Sequence, residues 1–204
     1  MLTLFAAKGT CSLATAIALE EAGADYQLAL MDFAAGEQNQ PEFLAKNPKG
    51  RVPALETPQG LLTENVALLS YVAQTHPSAH LAPTDPFHFA EMQAFNAYLS
   101  STVHVNHAHK NRGYRWSDDA AALVSMKAKV APNLNACFAL IEQHMLKGPW
   151  VMGEQFTVAD GYLYTIDTWL KSDGVNITEF PKVNDHFKRM GDRAAVVRVL
   201  EKHG

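Results

Sequence analysis

The hydrophobic pattern of this chain changes period and then does not change back. Up to about residue 74, short strand-like runs alternate with stretches of helical spacing; beyond Pro86 only helical spacing is found. Residues 2–6 read as a strand, with Lys8-Gly9 as its exit turn. Thr10 can cap a helix that opens at Cys11 or Ser12, carries Leu13, Ala14, Ile17 and Ala18 at helical spacing, and stops at Gly23. Residues 26–31 predict a second strand, 34–40 a polar loop, 41–46 a short helix and 47–50 a turn. Residues 52–55 predict a third strand; Pro58-Gln59-Gly60 turns it back into a fourth strand that begins with Leu61-Leu62. A helix over 64–74 follows, with Val66, Leu69 and Val72 on one face. The order βαβ then ββα predicts an α/β layer.

Residues 77–86 contain Pro77, Pro83 and Pro86 and no apolar periodicity. They read as a linker between an α/β domain at 1–76 and an all-helical domain at 87–204. In the second half, 87–109 carries Met92, Phe95, Leu99 and Val103. A helix from Ser117 carries the stripe Met126, Val130, Leu134, Cys137, Ile141 and Met145. Pro132 falls inside that helix and predicts a kink. Residues 157–171, 181–190 and 194–202 predict three more helices.

Charge and cysteine content narrow the function classes. The 204 residues carry 17 basic and 21 acidic side chains, a net charge of −4, which argues against a phosphate-backbone binder. Cys11 and Cys137 make no disulfide framework and no zinc-binding pair. No apolar run approaches the roughly 18 residues of a membrane span, and no secretory leader is recognisable. The expected class is a soluble cytoplasmic protein with reduced thiols.

Five features can carry chemistry. Cys11 follows a strand and a turn and opens a helix, where unpaired N–H groups and the helix dipole favour negative charge. Thiols so placed reach pKa values of roughly 3.5–7.5, so Cys11 is expected to be a thiolate or a thiol that meets another thiolate. Cys137, on the apolar stripe, is expected to be inert. Val52-Pro53 offers a site for a cis bond, though local sequence alone favours trans. A cis bond there would present the Val52 main chain to a peptide-like ligand. Thr63-Glu64-Asn65 sits where a strand passes into a helix. Thr63 or Asn65 can cap that helix, and the trio can hold an amino-acid head group, with Glu64 on the ammonium. Thr157-Val158-Ala159-Asp160 has the form of a capping box and is assigned to folding. Among His104, His107 and His109, the third lies about 200° around a helix from the second. A shared metal is therefore not expected, and a single histidine near the thiol is.

Together these residues resemble the glutathione transferase family, the bacterial beta class most closely. The resemblance rests on Leu4-Phe5 through Cys11-Ser12-Leu13-Ala14, on Asn47-Pro48-Lys49-Gly50-Arg51-Val52-Pro53-Ala54-Leu55, and on Leu62-Thr63-Glu64-Asn65-Val66-Ala67. His104 and Phe156-Thr157-Val158-Ala159-Asp160 extend it through the second half. It implies a thioredoxin-like N-terminal domain, an all-helical C-terminal domain and a homodimer. Glutathione would lie along a cis Val52-Pro53 edge and pair with Val52. Arg51, Glu64 and Asn65 would serve its charged ends, with an acidic residue of a partner subunit as a further contact. Cys11 would sit at the glutathione sulfur, where the class can form a mixed disulfide, and His104 matches the histidine near it. His107, Tyr114, Trp116 and Trp169 are candidates for a second-substrate pocket. The sequence departs from the class at Ala6, where a tyrosine is usual, and at Asn65, where a serine is usual. The loop Phe33-Ala34-Ala35-Gly36 also lacks a lysine, for which Lys49, Arg51 or a main-chain group can substitute.

The expected function is transfer or exchange of the glutathione thiolate with a small hydrophobic electrophile or a disulfide, with glutathione as co-substrate, no metal and a role in detoxification. The alternatives are a non-enzymatic binding or regulatory protein of the same fold, or a specialised glutathione-dependent isomerase, dehalogenase or disulfide reductase.

Overall fold

The computed structural model describes residues 1–203. The first half forms a four-stranded mixed sheet of order β2-β1-β3-β4, from β1 (Leu2–Ala6), β2 (Tyr26–Leu30), β3 (Ala54–Thr57) and β4 (Gly60–Thr63). β1 pairs parallel with β2 and antiparallel with β3, and β3 pairs antiparallel with β4. Helices α1 (Ser12–Glu21), α2 (Pro41–Lys46) and α3 (Asn65–Thr75) complete this half. It is the thioredoxin-like layer that the sequence implied. β3 starts two residues later than the sequence suggested. Val52-Pro53 precedes it as a cis peptide, and Pro53 has no N–H to give to a ladder.

The second half is helical: α4 (Pro86–Tyr98), α5 (His104–Arg112), α6 (Ala120–Leu140), α7 (Val158–Leu170), α8 (Pro181–Gly191) and α9 (Ala194–His203). A π-helical turn, Leu99–Val103, joins α4 to α5, and a second one, Ile141–Met145, extends α6. α6 runs as one helix through Pro132, and its stripe Val130, Leu134, Cys137 and Ile141 is buried. The segment read as a linker contributes to packing: Leu81 is buried and its carbonyl accepts from Val158 N at 2.9 Å.

The two halves share one core, and α1 is its axis. Residues 12–19 are all buried. A Cβ at Gly161 of α7 would come within 3.2 Å of Ile17 Cγ2, so glycine sets how closely α7 approaches α1. Arg193 clamps Glu21 through two bonds of 2.5 and 2.8 Å, and Arg198 and Lys202 of α9 reach Glu20. This packing fixes the N-terminus of α1, and Cys11 with it. Among the described residues no helix is long and apolar enough to cross a membrane.

Candidate active site

A hydroxyl network places Cys11. The turn after β1 is closed by Thr10 Oγ1, which donates to Ala7 O at 2.8 Å and lies 2.7 Å from Ser12 Oγ. Ser12 Oγ also accepts from Ala7 N at 3.2 Å. Thr10 Oγ1 in turn accepts from Ser12 N at 3.3 Å, the capping contact expected of it. Cys11 therefore leads α1, and its thiol points at the Val52 carbonyl, 3.7 Å away.

The loop that presents Val52 is built from Asn47-Pro48-Lys49-Gly50. Asn47, buried, donates from Nδ2 to Arg51 O at 2.8 Å and accepts from Lys49 N at 3.3 Å. Gly50 has φ +59°, and a Cβ there would meet Gln38 O at 3.0 Å. Only glycine satisfies both conditions.

Across the groove, Glu64 precedes α3 with φ 73° and ψ 116°. A glutamate in that region is strained and persists only where its surroundings impose it. Its carboxylate is exposed and meets Lys49 Nζ at 2.6 Å; Lys49 also donates to Thr63 Oγ1 at 2.9 Å. The expected side-chain cap from Thr63 or Asn65 does not form. Asn65 instead is buried and accepts from Thr15 Oγ1 of α1 at 2.7 Å, while its Nδ2 finds no acceptor.

Of the two expectations for Cys11, a thiolate or a thiol that meets another thiolate, burial favours the second. Burial pushes Cys11 up to about 11, against the lowering effects of the Arg112 charge and a backbone hydrogen bond. Cys11 is partly buried and packs against the core at the head of α1, and desolvation outweighs the helix terminus. Burial thus favours the protonated thiol at Cys11.

His104 opens α5 immediately after the π-helical turn. It lies 3.3 Å from Arg112 Nη2 through Nε2, and 4.9 Å ring to ring from Trp169. Arginine can only donate, so Nε2 accepts and the ring proton sits on Nδ1. Burial, then the charges of Arg112, His107, Arg51 and Arg115, depress His104 to about 3. Unfolded histidine takes its proton near 6.5 and folded His104 not until about 3. The unfolded state therefore binds more protons throughout that window, and stability falls as pH drops from 6.5 toward 3. His104 ring resonances should stay in their neutral positions from pH 8 to pH 5; a midpoint near 6.5 would refute this burial.

Arg112 was not found by sequence reading. It is partly buried, its Nε has no acceptor, and no described carboxylate pairs with it. Its charge acts on Cys11 and His104 alike. One signal was present: the positions three and four residues away on either side (Ala108, His109, Arg115, Trp116) hold no acid to neutralise it. Tyr162, buried on α7 beside Cys11 and Asn65, was also missed.

Of the pocket candidates, His107 and Trp169 join His104. Their rings stack at 4.4 Å, and His107 Nδ1 is held by Asp173 at 2.6 Å. The Trp169 indole N–H is buried without an acceptor. Trp116 is about half exposed and its ring lies tilted against His109, 4.4 Å between centroids, apart from that group. Tyr114 is exposed next to Arg115. Among the described residues no three His, Cys, Asp or Glu side chains are grouped to hold a metal.

Comparison with known proteins fits this arrangement. The glutathione S-transferase N-terminal domain model matches residues 1–74 and the C-terminal domain model residues 110–194. A glutathione transferase homolog from Sulfitobacter, solved with bound glutathione, is 47% identical, with a TM-score of 0.96 over 99% of this chain and 98% of that one. The chain belongs to the glutathione S-transferase family. Glutathione S-transferase GstA of Escherichia coli O157:H7 is 29% identical over 98% of each chain. A bacterial beta class glutathione S-transferase from Sphingomonas chungbukensis is 30% identical, with a TM-score of 0.86 over 99% of this chain and 98% of that one. The glutathione S-transferase fold thus accounts for the pairing of a thioredoxin-like sheet with a helical half that the sequence pattern predicted.

Proposed function

We propose that this chain binds glutathione and joins its thiolate to a small hydrophobic electrophile, as a cysteine-type transferase close to the beta class. One observation carries the reading: Cys11 Sγ lies 3.7 Å from the Val52 carbonyl, with the strained Glu64 and the charge of Arg112 close by, and the buried donors Asn65 Nδ2 and Arg112 Nε lack acceptors. A tripeptide with two carboxylates, an ammonium and a thiol supplies those acceptors.

In this reading the cysteinyl main chain of glutathione pairs with Val52 in β-fashion. Its N–H replaces the Cys11 thiol on the Val52 carbonyl, and the freed S–H turns to the glutathione sulfur. Glu64 exchanges Lys49 for the γ-glutamyl ammonium. Asn65 Nδ2 and the first-turn N–H groups of α3 take the neighbouring carboxylate, and Arg51 or Lys49 takes the glycine carboxylate. The glutathione thiol releases its proton to water, its sulfur bonds to the electrophilic carbon, and the leaving group departs with its electron pair. Cys11 donates to the developing thiolate and Arg112 supplies positive charge; His104 holds Arg112 in place. His107 and Trp169 wall the electrophile side.

Burial holds the Cys11 thiol above its ordinary value and so disfavours its thiolate. Disulfide exchange through Cys11 needs that thiolate, so conjugation is favoured over exchange. The same reading takes the protein as a cytoplasmic homodimer acting in detoxification, with domains at 1–76 and 87–204 joined by 77–86. The matched regions, 1–74 and 110–194, support that division.

Glutathione calorimetry tests the reading. Wild type should bind one glutathione per chain. Glu64→Gln should weaken binding about ten-fold, the loss of one charge-assisted contact of about 1.4 kcal/mol. Absence of any binding heat, together with no glutathione adduct in the intact mass after exposure to oxidised glutathione, would turn the assignment to a non-enzymatic binding protein.

A further inference from the structure

Asp173 is a buried acid in an unfavourable place. It lies in the turn that ends α7, where its N–H donates to Trp169 O at 3.1 Å and Leu170 O at 3.0 Å, and its side chain is 1% exposed. A carboxylate there meets the negative end of the helix dipole. Two donors from α5 hold it: His107 Nδ1 lies 2.6 Å from Oδ2, and Lys110 Nζ lies 3.0 Å from Oδ1. Burial would raise the Asp173 pKa, but these two contacts bring it below the usual carboxylate range. An ionised carboxylate only accepts, so the proton of the His107–Asp173 bond sits on Nδ1. That leaves Nε2. It has no partner among the described residues and is not sealed from solvent, and 20% of the His107 side chain is exposed. The ring stacks on Trp169, and His104 lies 6.1 Å away between centroids. An imidazole pinned at one nitrogen by a buried carboxylate and open at the other is built to move protons. Lys110 alone would balance the Asp173 charge, so a clamp between α5 and the end of α7 does not require the second bond to a titratable ring.

We propose that His107 is a catalytic acid–base residue and that the electrophile it serves is an α,β-unsaturated carbonyl compound. The proposal rests on the transferase reading and adds a substrate class to it. Displacement of a halide ends when the leaving group departs with its electron pair, and no proton is needed. Addition to a carbon–carbon double bond does need one. The glutathione sulfur bonds to the β-carbon, the π pair moves onto the α-carbon and carbonyl oxygen as an enolate, and a proton must follow. The proton released by the thiol reaches Nε2 through water, and Asp173 offsets the charge of the imidazolium. Nε2 then gives that proton to the enolate, and His107 returns to its neutral tautomer. The thiol hydrogen ends on the α-carbon of the product, and no other reactant is consumed. Asp173 is the positioning residue: it fixes the tautomer and supports the imidazolium.

Two aryl electrophiles on the full chain with glutathione provide the test: trans-4-phenyl-3-buten-2-one, which needs a proton, and 1-chloro-2,4-dinitrobenzene, which loses chloride. Wild type should convert both. His107→Asn sets an amide N–H about where Nδ1 stands, so it keeps the bond to Asp173 and removes Nε2. It should lower the enone-to-chloride ratio of kcat/KM about 100-fold, the low end of acid–base catalysis. Asp173→Asn should lower the same ratio about ten-fold, because a neutral amide supports the imidazolium less well. Should His107→Asn fail to fold, His107→Gln removes the same proton carrier and should move the ratio the same way. An unchanged ratio, whether both rates fall alike or neither falls, would overturn the proposal and leave His107 as part of a clamp. Wild type that converts the chloride and not the enone would overturn the proposal alone. Conversion of neither, with no glutathione binding, would overturn the transferase reading and the proposal together.

Discussion

Asp160→Ala is expected to lower the unfolding free energy by about 3–5 kcal/mol, the scale of leaving several buried donors unpaired at once. Asp160 is fully buried and every acceptor site is used. Oδ1 accepts from Val151 N at 2.7 Å and from His186 Nε2 at 3.0 Å; Oδ2 accepts from Thr157 N at 2.7 Å and lies 3.2 Å from Thr157 Oγ1. Alanine removes the capping box, which alone is worth about 1 kcal/mol. It also strands two backbone N–H groups and a fully buried imidazole, whose Nδ1 already has no partner. The loss propagates because α7 packs along α1 and carries Tyr162 and Trp169 to the groove. Asp160→Asn keeps one oxygen acceptor and should cost about half as much. Urea unfolding curves measure both variants; a loss below about 1 kcal/mol for the alanine would show that the network contributes little.

The capping box was legible because four consecutive residues specify it. The same holds for the strand–turn–helix that leads to Cys11 and for the Asn47–Gly50 turn, whose residue types are set by local backbone geometry. Features that depend on tertiary packing were not legible. Nothing local in Leu99–Val103 announces a π-helical turn, yet that turn sets the face His104 presents. The two expectations for Cys11, a thiolate or a thiol that meets another thiolate, could not be separated, because position along a helix is written in sequence and burial is not. The dipole argument was sound, but desolvation, supplied by packing from both halves, was the larger effect. Asn65 was read as a possible cap, whereas its partner is Thr15, fifty positions earlier. Trp116 and Trp169 were equivalent candidates in the sequence; only the packed helices separate a half-exposed indole against His109 from a buried one against His104 and His107.

Cys11→Ala should keep glutathione binding within about three-fold of wild type while kcat/KM for conjugation falls about 10- to 100-fold. Binding is retained because the tripeptide is held at Val52, Glu64 and Asn65, and the substitution removes only the long thiol contact to the Val52 carbonyl. The rate falls because the variant removes a donor aimed at charge that develops on sulfur. Deleting an amide donor of this kind costs roughly 10²–10³ in rate, and a thiol is the weaker donor. Arg112 and the first turn of α1 remain, which sets the floor. The pH dependence separates this role from a structural one: without the Cys11 S–H, the apparent pKa of bound glutathione should rise, moving the rate profile to higher pH. Cys11→Ser, which restores a donor, should recover most of the shift. Any small mixed-disulfide adduct of the wild type with oxidised glutathione should vanish in both variants. A profile that does not move, or complete loss of glutathione binding in Cys11→Ala, would assign Cys11 to holding the groove together rather than to stabilising the thiolate.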